Sequence, residues 1–189
     1  MANNYFRIGI LVIILEFGLV GFANCQNRED QAINGTWIIR NIYNRDYGGG
    51  FKEVSKVHRL PNESIVFKDG NFEWLSNNST LYKGTYTISG EQFTMNTDHI
   101  HGRLIDLPGQ FIALVLDMKT FDKLKWYSKD EFKTILRSTI TEISNEELES
   151  IIEMYFFTRK YSYDISLGGD VLTLTIDSNL GYMVLDKKL

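Results

Sequence analysis

A chain of 189 residues with 43% hydrophobic and 13% aromatic residues carries enough apolar mass for one packed domain, which excludes a disordered chain. The formal net charge of −4 comes without any Lys/Arg block, so the clustered positive footprint of a nucleic-acid binder is absent from the sequence. The single cysteine excludes an internal disulfide.

Arg7 precedes the apolar runs Ile8–Leu15 and Phe17–Ala23, which are the n-region and h-region of a secretory signal, with Glu16 as an interruption. The run is too short for a comfortable membrane span, and the longest later apolar stretch, Phe111–Leu116, is strand-sized. Two processing outcomes are open. The small residues Gly21 and Ala23 fit cleavage after Ala23. Alternatively, Cys25 is the lipid-modified first residue of a bacterial lipoprotein, although Asn24 is not the small residue expected before such a cysteine. Either outcome predicts an exported protein, in the periplasm or held in the bacterial envelope through a lipid on Cys25, and a disulfide-free exported domain fits that compartment. The expected organisation is a leader over 1–25, a polar tether over 26–33 and one domain over 34–189.

The mature chain opens with a β-rich segment at Gly35-Thr36-Trp37-Ile38-Ile39-Arg40. Residues 44–63 contain Gly48-Gly49-Gly50 and Pro61, so they are predicted to be a long loop. Ser64–Lys68 and Asn71–Leu75 flank Asp69-Gly70, a strong hairpin signal because that pair accepts the positive φ of a type I′ turn. A polar tip at 76–80, a strand at Tyr82–Ser89 and another at Gln92–Asn96 complete a four-strand meander, whose rhythm points to a sandwich or barrel. Residues 98–106 continue as strand, and Lys119–Tyr127 is a shorter, mixed stretch.

Two helices are predicted next. Ser128-Lys129-Asp130-Glu131 and Ser144-Asn145-Glu146-Glu147 both spell the capping box. Phe132, Ile135, Leu136 and Ile140 form one apolar stripe, and Leu148, Ile151, Ile152 and Tyr155 form another. Strand pattern resumes at Tyr161–Leu167, turns at Gly168-Gly169 into Val171–Ile176, and ends with Gly181–Leu185.

These residues resemble the lipocalin-like (calycin-type) exported domains of bacteria over roughly residues 33–186. Gly35-Thr36-Trp37 matches the G-x-W opening, and Lys83–Gly90 followed by Phe93-Thr94-Met95 looks like a repeated hairpin of such domains, as does Tyr163–Ser166 with Leu172–Thr175. The resemblance implies a mainly β fold, a small antiparallel up-and-down barrel. It implies that Trp37 is buried at the closed end under a cation from the last strand, Lys187 or Lys188, and that Gly35 allows a close approach. The helices at 128–157 depart from the plain barrel as an insertion.

The candidate ligand-binding residues are His99, His101 and Trp74. On one unbroken strand, the period of two sets Phe93, Met95, His99 and His101 on a single inward face, where the imidazoles would meet a metal, a haem-like group or a carboxylate; a turn at Thr97-Asp98 would instead put both in solvent. No third metal ligand and no nucleophile motif such as G-x-S-x-G accompanies them. The expectation is therefore a non-enzyme without catalytic residues, metal or cofactor, holding a small apolar or amphipathic ligand in the barrel. The alternative is a structural or interaction domain whose barrel is filled by its own side chains.

Overall fold

A computed structural model describes residues 31–46, 48–54, 62–105, 121–140, 142–177 and 180–189. Residues 31–33 form a helical turn, and the barrel unit runs from Asn34 to Leu189. Its strands are β1 (Gly35–Arg45), β2 (Phe51–Glu53), β3 (Glu63–Lys68), β4 (Asn71–Ser76), β5 (Ser79–Ser89), β6 (Gln92–His101), β7 (Trp126–Ser128), β8 (Thr158–Ile165), β9 (Val171–Asp177) and β10 (Gly181–Lys187). Eight of them close an antiparallel ring in the order β1-β3-β4-β5-β6-β8-β9-β10, and β10 returns to β1 from Trp37↔Lys187 to Asn44↔Gly181. Apart from the two short strands, ring order follows chain order, so this is the up-and-down barrel that the resemblance implies. The short β2 continues β3's place along the second half of β1, and β7 pairs with β6 beyond the point where β8 leaves it.

Turn chemistry explains the meander. Asp69 and Gly70 have φ of 50° and 76°, the positive pair of a type I′ turn. The expected polar tip at 76–80 contracts to Asn77-Asn78, with φ of 49° and 62°, because asparagine tolerates the left-handed region.

One end of the barrel is closed by packing. Trp37 is wholly buried there, and Lys187 Nζ lies 5.2 Å from its ring centroid, as expected for the closed end. Gly35 has φ +138°, and a Cβ on it would sit 3.0 Å from Lys187 Cε. The neighbour is thus a side chain, and the positive φ is the stronger demand for glycine. Phe67, Phe72, Phe93, Met95, Leu172, Leu174 and Leu185 are buried with Trp37. Phe67, Tyr86 and Phe93 meet one another at centroid distances of 5.2–5.4 Å.

Among the described residues, three helices follow β6: α1 (Gly102–Ile105), α2 (Lys129–Thr139) and α3 (Asn145–Tyr155). Both expected capping boxes are present, on Ser128 with Glu131 and on Ser144 with Glu147. The two longer helices share one core, in which Phe132, Leu136, Leu148, Ile152 and Tyr155 pack with Leu81, Ile100, Leu104 and Tyr127 of the β5–β7 region.

Two expectations need correction. The predicted loop over 44–63 contains β2, and its last residue, Glu63, opens β3. The strand predicted over 98–106 ends at His101, where Gly102 starts a helical turn; a Cβ on Gly102 would lie 2.1 Å from the Asp122 carbonyl oxygen, so only glycine fits. Cys25 and Phe111–Leu116 lie outside the described residues. No helix among the described residues is long and apolar enough to cross a membrane.

Candidate functional site

The register of β6 decides what faces the barrel interior. Phe93, Met95 and Thr97 are buried on the inward row. The pairing with β5 then slips, from Gly84↔Thr97 to Lys83↔His99, which leaves Asp98 as an extra residue. A bulge of one residue inverts the alternation. Ile100 becomes the buried residue, His99 is exposed and His101 is only half-buried. The inward histidine pair is therefore corrected: a bulge, not a turn, carries both out of the barrel. His101 meets Trp126 edge-on at 4.9 Å, and burial lowers its pKa, with Arg103 adding to the effect. No group of three or more metal-ligating side chains exists among the described residues.

Trp74 does face inward, toward the open end. Its Nε1 donates to Glu63 Oε1 at 3.3 Å. Its ring lies 6.1 Å from Tyr82 and 6.2 Å from Phe157, and those two are 5.7 Å apart. Burial pushes the Tyr82 phenol well above its ordinary pKa, with Tyr155 raising it further and Arg159 opposing.

The buried polar side chains among the described residues, Glu63, Ser76 and Thr97, all sit at this end. Glu63 and Ser76 are register partners across β3 and β4. Thr97 N donates to the Phe157 carbonyl at 2.9 Å, while its hydroxyl makes no hydrogen bond within the protein. Burial raises the pKa of the buried Tyr161 phenol, and the nearby Arg159 guanidinium opposes that rise.

Arg159 lies between Phe157 and Tyr161 on the inward row of β8, opposite Met95. Its guanidinium carbon sits 4.8 Å from the Phe157 ring centroid. Despite facing inward it is exposed, so solvent reaches the barrel at this point. The packing gradient agrees: Trp74 and Phe157 keep 7% exposure, whereas Phe72 keeps 1% and Phe93 and Met95 keep none. The lower barrel is filled; the upper end holds the polar and accessible groups.

Glu63, Thr97, Phe157, Arg159 and Tyr161 were not singled out from the sequence. A signal existed for three of them: Phe157, Arg159, Tyr161 and Tyr163 alternate with polar residues, and an arginine on an aromatic row is an unusual core position. A second concavity lies outside the barrel. The α2–α3 connection and α3 form a surface groove of about 590 Å³, with Ile140, Ile143, Ile151 and Met154 as its apolar floor and Glu142 and Glu146 among its lining.

No family model matches the chain, and no curated protein matches it. Two solved structures are similar. A lipocalin-like protein from Bacteroides uniformis is 13% identical, with 83% of this chain and 99% of that one covered and a TM-score of 0.38. An uncharacterized protein from Bacteroides eggerthii is 13% identical, with 82% and 98% covered and a TM-score of 0.42.

Proposed function

We propose that this is an exported, non-enzymatic binding protein whose ligand is a small amphipathic molecule seated at the open end of the barrel. One observation carries the reading. The buried polar inward side chains Glu63 and Thr97 and the exposed Arg159 gather at one end beside Trp74, Tyr82 and Phe157, while Trp37, Phe67 and Phe93 are buried toward the other. Ligand sites combine an apolar lining with a few polar groups in this way, and barrel mouths are a preferred place for them. The filled lower half limits the ligand to a shallow seat and excludes one that threads to Trp37. Export rests on the leader at Arg7–Ala23, and a lipid on Cys25 is one of its two processing outcomes.

Displacement of a lipophilic dye, followed by mass spectrometry of solvent-extracted protein, tests the binding reading. Tryptophan emission should change on binding, and Trp74→Phe should remove most of that change. Absence of displacement by fatty acids, retinoids and haem would leave the filled-barrel alternative, a structural or interaction domain, as the better reading.

A further inference from the structure

We propose that the surface groove beside α3 docks a basic amphipathic segment of another protein, its apolar residues seated on Ile140, Ile143, Ile151 and Met154 and its cations facing Glu142 and Glu146. This surface lies outside the barrel, and the inference does not depend on a ligand at the open end.

The floor is apolar surface that the fold leaves uncovered. Ile140, Ile143 and Ile151 are only partly buried: they pack against the helical core and also line the groove. Met154 lines it as well and is 53% exposed. A thioether on a flexible side chain adapts readily to incoming apolar groups. An apolar patch with a polar rim is the usual form of a partner site.

The rim carries one sign of charge. Glu142, Glu146 and Glu147 line the groove, and among the described residues no lysine or arginine does. The cations of α2 serve another side of α3. Lys133 pairs with Glu149, and Arg137 Nη2 donates to Asn145 Oδ1 at 2.9 Å. The Lys133 ammonium, with Lys129 and Arg137 beyond it, holds the Glu149 carboxyl below the usual carboxylate range. Lys125 is likewise paired with Glu131, and Glu147 closes the capping box on Ser144. Glu142 and Glu146 make no ion pair or hydrogen bond among the described residues.

Charge selects the occupant. Three carboxylates bordering an apolar floor repel an anionic bilayer and attract Lys and Arg. A second copy docking the same face on itself would set glutamates against glutamates. A basic amphipathic helix supplies both complements, with apolar anchors at i, i+3, i+4 and i+7 and cations on its flanks.

Fluorescence anisotropy of three labelled helical peptides titrated with the protein tests this. One peptide has a Leu face and a Lys face, one a Leu face and a Glu face, and one carries Ser in place of every Leu of the first. At physiological salt, the Leu/Lys peptide should bind at least about tenfold more tightly than either of the others. Glu142→Gln/Glu146→Gln should weaken it by about three- to tenfold, the effect of two exposed ion pairs, and flatten its salt dependence. Met154→Ser should weaken it too. Both variants should keep the wild-type melting temperature, since all three side chains are exposed. Glu53→Gln/Glu91→Gln removes the same charge from exposed positions on β2 and the β5–β6 turn, and should leave binding unchanged. Equal binding of the Leu/Lys and Leu/Glu peptides, an equal effect of the two double variants, wild-type binding by Met154→Ser, or no binding of the Leu/Lys peptide would overturn the assignment. So would a dimer in sedimentation of the protein alone that Met154→Ser dissolves, because the groove would then belong to a second copy.

Discussion

Replacing Trp37 by alanine removes a wholly buried ring from the closed end of the barrel, where nothing can collapse into the space. The expected loss is about 3–5 kcal/mol in equilibrium denaturation, the range for truncating a large core aromatic. A loss under about 1 kcal/mol would contradict its burial. The cation above the ring contributes less: Lys187→Met should cost at most about 1 kcal/mol, because Nζ sits 5.2 Å from the centroid near the surface. Glycines separate two kinds of backbone demand in the same way. A Cβ on Gly84 would lie 2.0 Å from the Asn96 carbonyl oxygen and 2.7 Å from Phe72 Cε1, at the bulge that fixes the register of β6. Gly84→Ala must therefore move backbone, and a loss of about 1–3 kcal/mol or more is expected. Gly90 has φ +59° with open space around its Cβ, so Gly90→Ala should cost only the left-handed penalty of about 1–2 kcal/mol. Denaturation of both variants should place Gly84→Ala as the more damaging.

Helices α2 and α3 begin on Ser128 and Ser144 because each serine accepts from the third helical amide while a glutamate returns to the serine's own amide. Ser144→Ala should cost about 1 kcal/mol at neutral pH. The two glutamates add a pH dependence with a defined sign. Glu147 and Glu131 are held below the usual carboxylate range, first by the backbone hydrogen bonds of Ser144 and Ser128. Their folded pKa lies under the unfolded value, so their contribution is complete above the unfolded value of about 4.3 and disappears as pH falls through the folded value. The double variant Glu131→Gln/Glu147→Gln should flatten that part of the acid limb of stability, and denaturation midpoints measured from neutral to acid pH would detect it. These caps, like the Asp69-Gly70 turn, were legible in the sequence because their geometry is closed within four residues. The bulge at Asp98 was not, because it depends on how β5 meets β6 across the sheet, and nothing local to Thr97-Asp98-His99 encodes that register. Glu63 was hidden for a related reason: read by composition it belongs to a polar loop, and only its pairing with Ser76 makes it the first residue of a strand with a buried side chain.

At the level of the whole molecule, ring closure through β1 and β10 leaves a stability gradient along the barrel axis. The architecture was legible because alternating runs with turn residues between them point to a sandwich or barrel, and the resemblance of Gly35-Thr36-Trp37 to the G-x-W opening favoured the barrel. The division of the interior was not, since alternation marks inward positions without saying which level of the barrel each occupies. Below, Trp37, Ile65, Phe67, Phe93, Leu172 and Leu185 exclude solvent almost completely. Above, buried Glu63 and Thr97 sit at the end where the inward Arg159 is exposed, and the β6–β8 ladder ends at Asn96↔Thr158. Local opening is easiest where buried apolar contacts are fewest. Native-state hydrogen exchange should therefore divide single strands into two classes. On β3, the Phe67 amide should exchange only by global unfolding while the Glu63 end exchanges sooner; on β6, Phe93 should outlast Thr97. The fast class should gain protection when an amphipathic ligand fills the open end, and the slow class should follow the ligand-linked rise in global stability alone. Uniform protection along β3 and β6 would mean that the open end is packed as tightly as the closed one, and the barrel would have no seat to offer.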